Sequence, residues 1–156
     1  MSEELSPVRE QTATLKAQVF ALVRACPVGN VTTYGWLAQA VGYPRGARMI
    51  GWIMNETPQG VPAQRVINSK GELSGSWAFG QKGKMRKLLE DEGVVFSDSE
   101  RVDLKRYGWD PSRDLSPEER EHIFDNASLP MDVSNRLLHL MQNDPASPLR
   151  ETPTTE

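Results

Sequence analysis

A chain of 156 residues, 38% of them hydrophobic and 25% charged, is long enough to fold as one domain around its own core. Its single cysteine, Cys26, excludes an internal disulfide framework and any multi-cysteine zinc site, and no metal or cofactor motif appears elsewhere. No apolar run approaches the roughly 18 residues that span a bilayer, and the opening MSEELSPVREQTATLK lacks the apolar centre of a secretory signal. The expectation is an intracellular protein with no membrane partner.

The net charge of −3 argues at first against nucleic acid, but the charges are unevenly spread. Residues 28–93 carry eight Lys/Arg against five Asp/Glu, whereas residues 112–156 carry four against nine. A mildly basic body is followed by an acidic extension, which permits DNA binding without strong nonspecific attraction.

Along the chain, residues 1–11 are polar and expected to be loose. TATLKAQVFALVRACP places Leu15, Val19, Leu22 and Val23 at helical spacing and stops before Pro27. A short helix from about Thr33 to Val41 closes at Gly42 and Pro44. A second, in ARMIGWIMNET, follows after a brief Gly-containing turn and ends before Pro58. Two short helices so joined are a helix-turn-helix candidate, although on pattern alone a helical hairpin of an ordinary bundle explains them more simply. RVINSKGELS then reads as a β-hairpin that could serve as a wing. GQKGKMRKLLEDEG is a helix with Met85, Leu88 and Leu89 inward and Gly93 as its stop. VVF (94–96) and RVDLKRYGW (101–109) suggest short extended segments. Ser116, Pro117 and Glu119 spell a capping box at the head of a further helix, MDVSNRLLHLMQN continues amphipathically, and residues 144–156 look disordered. The expected organisation is a loose start (1–11), a winged helix-turn-helix domain (12–111), an acidic helical extension (112–143) and a tail. The fold class is mainly α with a small β wing.

The second helix of the pair carries two stripes. Ile50, Ile53 and Met54 are most simply core. Arg48, Trp52 and Asn55 form the other, with Gly51 beside them and Arg45 at the helix approach. Glycine inside a helix costs roughly 1 kcal/mol relative to alanine, and one return is close approach of another backbone. An Arg-Trp-Asn row next to it suits a nucleic-acid surface, although Trp52 packed under the extension and Arg48 merely solvated would explain the row as well.

GNVTTYGWLAQAVGYPRGARMIGWIMN, VPAQRVINSKGELS and KLLEDEGV together resemble the DNA-binding domain of the O6-alkylguanine-DNA alkyltransferases, over about residues 15–110. The resemblance implies a winged helix-turn-helix. In the active members the central motif reads Pro-Cys-His-Arg-Val: the thiolate accepts the alkyl group, and the histidine, backed by a glutamate, helps to generate it. Here the motif is Pro62-Ala63-Gln64-Arg65-Val66. A methyl group and an amide cannot carry that chemistry, and Glu92, at the place of the glutamate, is left with no histidine to support. Cys26 lies outside every motif and is expected to be buried and inert. Loss of the nucleophile on a retained scaffold matches the alkyltransferase-like subgroup, whose members flip a damaged base, hold it unrepaired and flag it for nucleotide excision repair.

What the resemblance implies can be placed residue by residue. Arg48 matches the arginine that fills the gap left by an extruded base. Tyr34 matches the tyrosine that presses on the flanking phosphate. Thr32 and Thr33 are candidate phosphate donors, Thr33 alternatively a helix cap. Ala63 would be the floor of a lesion pocket framed by Val61, Pro62, Gln64 and Arg65, with Arg65 also a candidate brace of the turn. Ser76 and Trp77 belong to the loop that would close over the base, where Trp77 either stacks on it or anchors the loop. The implied partner is duplex DNA containing O6-alkylguanine, bound by a monomer that hands the site to nucleotide excision repair proteins. The competing reading is a winged-helix regulator of undamaged DNA. An enzyme built on Gln64 and Glu92 is disfavoured because no nucleophile accompanies them.

Overall fold

The computed structural model describes residues 7–73, 83–127 and 131–144. Its elements run α1 (Pro7–Ala25), β1 (Thr32–Thr33), α2 (Tyr34–Ala40), α3 (Ala47–Met54), a 3-10 turn (Ala63–Arg65), β2 (Val66–Ile67), α4 (Lys84–Asp91), α5 (Leu104–Tyr107), α6 (Pro111–Asp114), α7 (Pro117–Asp125) and α8 (Asn135–Asn143).

The long helix α1 is the spine. Val19, Phe20, Leu22 and Val23 are wholly buried, and burying each such side chain is worth roughly 1.5–3 kcal/mol. They share one core with Leu37 and Ala38 of α2, Met49, Ile50 and Ile53 of α3, and Leu137 and Met141 of α8. A second cluster joins Val31, Ile67, Met85, Leu89, Val94, Val102 and Tyr107 beneath the 3-10 turn and α4.

Helix α1 begins within the stretch expected to be loose. Pro7 sits at its start, where a missing N–H costs nothing, and Val8 is buried. Arg9 then reaches across to the carbonyl of Val133 (2.7 Å) and Asn135 Oδ1 (3.1 Å), contacts that only tertiary folding supplies.

The expected hairpin takes another form among the described residues. Val66–Ile67 pairs in parallel with Thr32–Thr33 rather than antiparallel with a following strand. The chain does reverse after Ile67, because the Asn68 side chain accepts from the N–H groups of Lys70 and Glu72. The returning backbone instead meets Val102, whose N–H donates to the Gly71 carbonyl at 2.8 Å. Gly71 has φ +81°, and a Cβ there would stand 2.3 Å from the Val102 oxygen, so only glycine fits. The expected strand over 101–109 is likewise replaced. Asp103 caps a helical turn at Leu104–Tyr107, and among the described residues this region keeps bridges between Phe96 and Val102 and between Val31 and Gly108.

Local signals elsewhere are realised closely. Helix α4 ends at Gly93 (φ +97°), with its N–H on Glu90 and the Val94 N–H on Leu89, a Schellman closure. Ser116 and Glu119 bond reciprocally at the head of α7, with Pro117 as its first residue.

The segment after Pro111 folds against the body. Val133, Leu137 and Met141 belong to the main core, and Leu115, Ile123 and Phe124 pack on it. A polar latch reinforces this docking. Lys16, only 5% exposed, donates to Glu56 Oε1 (3.0 Å) and to the Asp132 carbonyl (2.6 Å), while the Ser134 hydroxyl donates to the other Glu56 oxygen. Burial alone would raise the Glu56 pKa; the bonds from Ser134 and Lys16 hold it below the ordinary carboxylate value. Nothing in the α1 periodicity announces a lysine at a core position.

Candidate nucleic-acid interface

Helices α2 and α3 meet through a short turn in which the Tyr43 N–H bonds to Ala38 and the Gly46 N–H to Tyr43. The two helices pack on each other across this turn, the pairing expected of a helix-turn-helix candidate. Ile50, Ile53, Met49 and Met54 of α3 face inward. The opposite face presents Arg48, its side chain 74% exposed, with Gly51, Trp52 and Asn55 half-buried along the same row. Trp52 is not fully outward: part of it packs on the main core. A Cβ at Gly51 would meet nothing within 4 Å, so no contact among the described residues accounts for glycine there. Arg45 is exposed in the turn before α3.

Two expected phosphate donors are placed otherwise. Thr32 is wholly buried and its hydroxyl has no hydrogen-bond partner. Thr33 is 2% exposed and its hydroxyl accepts from the Trp36 N–H at 3.0 Å, which makes it the N-cap of α2. Pairing of β1 with β2 draws both inward. Tyr34, the first residue of α2, is half-buried against the main core.

The turn at 61–65 is tightly built. The Ala63 N–H bonds back to the Val61 carbonyl at 2.8 Å across Pro62 (φ −78°, ψ 72°), an inverse γ-turn that proline's fixed φ favours. Val61 is buried, and Ala63 is half-buried against the core. Arg65 then forms a fork-to-fork pair with Glu92, Nε to Oε1 at 2.9 Å and Nη2 to Oε2 at 3.0 Å, and its Nη1 donates to the Cys26 carbonyl at 2.8 Å. Gln64 Nε2 donates to Glu92 Oε2 at 2.7 Å. Glu92 is therefore fully employed, contrary to the expectation that it has nothing to support. Its burial would raise its pKa, but the bonds from Arg65 and Gln64 and the Arg65 charge keep it below the ordinary value. The bracing role expected of Arg65 is thus realised; the partner that performs it, Glu92 27 residues away, is the feature the sequence did not announce.

Cys26 lies behind this pair. It is 1% exposed, and burial pushes its pKa up to about 12, with the neighbouring Arg65 lowering it and Glu92 raising it. A thiol so protonated is a poor nucleophile at neutral pH. Ser76 and Trp77 lie outside the described residues. Among the described residues no group of three or more His, Cys, Asp or Glu could hold a metal ion, and no helix is long and apolar enough to cross a membrane.

An exposed Arg48 on α3, joined to α2 by a tight turn and set beside a braced 3-10 turn, fits a DNA-binding domain. The chain belongs to the family described as 6-O-methylguanine DNA methyltransferase, DNA binding domain, whose model it matches over residues 14–94. It is 38% identical over 102 residues to a DNA base-flipping protein of Escherichia coli, covering 64% of this chain and 78% of that one. Alkyltransferase-like protein 1 of Schizosaccharomyces pombe is 35% identical over 100 residues, 60% of this chain and 93% of that one. A crystal structure of S. pombe Atl1 in complex with damaged DNA containing O6-carboxymethylguanine superposes with a TM-score of 0.55 at 33% identity, covering 62% of this chain and 95% of that chain.

Proposed function

We propose that this chain is a non-enzymatic sensor of DNA damage that docks α2 and α3 in the minor groove, extrudes an O6-alkylguanine and holds it without taking its alkyl group. The observation that carries the reading is Ala63: a residue with no nucleophile heads a turn whose brace, the Arg65–Glu92–Gln64 cluster, is intact. A site kept in shape without its reactive atom serves recognition. The names of the similar proteins, base-flipping and alkyltransferase-like, support the same reading.

In this scheme Arg48 fills the gap in the stack, as a long planar cation suits. Tyr34 presses the flanking phosphate, and Gly51, Trp52 and Asn55 lie along the groove. Flipping costs a few kcal/mol, least where pairing is already weak, and O6-alkylation removes the N1–H donor that pairs with cytosine. Selection thus begins before the pocket of Val61, Pro62, Ala63 and Gln64 reads the base. Alanine at position 63 leaves room for bulky alkyl groups. Ser76 and Trp77 would close over the base, the stretch RVINSKGELS would act as the wing, and the held lesion would mark the site for nucleotide excision repair by an intracellular monomer. The domain spans 12–111 in this reading, with 112–143 as an appended helical unit.

The test is a titration of matched duplexes carrying guanine or O6-methylguanine at one position, at two salt concentrations. The lesion duplex should bind at least about tenfold more tightly, with similar salt slopes because the phosphate contacts are shared. Equal affinities would point instead to a regulator of undamaged DNA, and methyl transfer to the protein would defeat the reading outright.

A further inference from the structure

The exposed arginine of α3 already has an anionic neighbour. Arg48 Nη1 lies 3.8 Å from Asp144 Oδ2, and the two side chains differ sharply in exposure, 74% for Arg48 and 9% for Asp144. Asp144 is the C-cap of α8, its N–H on the Leu140 carbonyl at 3.2 Å. A carboxylate there is opposed by the partial negative charge of the helix end. The guanidinium of α3 is a cation within ion-pair range of that carboxylate.

The carboxylate is also delivered on a fixed support. Leu137 and Met141 of α8 are buried in the core that holds Ile50 and Ile53 of α3, Ser134 caps α8, and the Lys16–Glu56 latch ties down the segment before it. A 3.8 Å separation is an ion pair without a close hydrogen bond, so it is easily exchanged. A phosphate oxygen offers the same charge to the same donor.

We propose that Asp144 occupies Arg48 in the DNA-free protein and that DNA must displace it, so that the extension after Pro111 sets the affinity of the α3 face. This rests on the reading of Arg48 as a DNA-contacting residue.

The experiment is a double-mutant cycle of Asp144→Asn and Arg48→Ala, read by fluorescence anisotropy on both unmodified and O6-methylguanine duplexes at low and high salt. Asp144→Asn should tighten binding by about three- to tenfold at low salt, with the gain shrinking at high salt. In the Arg48→Ala background the same change should yield less than about twofold. No gain from Asp144→Asn, or an equal gain without Arg48, overturns the proposal. Asp144→Glu retains the charge and should bind like the parent; Asp144→Ser replaces Asn should the latter fail to give a parental melting curve. A parent with no preference for the lesion would defeat the sensor reading alone, since the cycle is still scored on the unmodified duplex.

Discussion

Replacing Glu92 by alanine should cost about 3 kcal/mol of stability at pH 7, as removal of one member of a buried ion pair does. The loss arises mainly from what remains. Arg65 is 11% exposed, and its guanidinium would keep only the Cys26 carbonyl as partner while Gln64 loses its acceptor. Urea unfolding should show the drop as a lower midpoint at unchanged slope. Replacing both charges, as in Arg65→Met with Glu92→Met, should cost less than the single change, because no orphaned cation is left. A loss under 1 kcal/mol for Glu92→Ala would show that the pair is not holding the turn. The pH dependence has a definite sign. A carboxylate whose folded pKa lies below its unfolded value contributes stability above the unfolded pKa, about 4.3 for Glu, and loses it as pH falls through the folded value. Glu56 behaves alike, so the parent should weaken below about pH 4, and Glu92→Ala should weaken less steeply there.

Arg48→Ala should remove most of the preference for O6-methylguanine, on the order of tenfold or about 1.4 kcal/mol. The reason is differential. An encounter with intact duplex needs phosphate contacts but no filler for a vacated base, whereas an extruded base leaves a gap that must be occupied. Deleting the filler therefore penalises the flipped state more. Arg45→Ala provides the contrast: it removes an exposed charge next to the helix and should weaken both duplexes similarly, reducing the salt slope by about one. Equal losses for the two duplexes on Arg48→Ala would assign that arginine to ordinary phosphate binding.

Much of this architecture was legible because it is local. The helix-turn-helix pair, the Gly93 closure of α4 and the Ser116–Glu119 capping box are each written within a few residues. The Pro62–Val66 turn was legible as a framed site for the same reason. What escaped depends on residues far apart in sequence. The β1–β2 pair joins segments 34 residues apart, which no alternation pattern within 66–73 reports. Thr32 looked like a surface donor because a two-residue strand is too short to betray its burial, whereas the alternative reading of Thr33 as a helix cap is the one realised. Lys16 reads as a break in an apolar stripe until Glu56 and Asp132 are brought to it. Glu92 and Asp144 each acquired a partner that only tertiary docking could supply.

The sharing of one core between α1, α3 and α8 limits how this protein can be shortened. A chain ended at Asp110 would remove Val133, Leu137 and Met141 from the core shared with α1 and α3, leave Lys16 without its Asp132 acceptor, and present a sticky apolar strip to solvent. Such a fragment should precipitate or self-associate even though it spans residues 14–94, which the family model matches. Trimming for crystallisation or display must therefore keep the chain through Asp144.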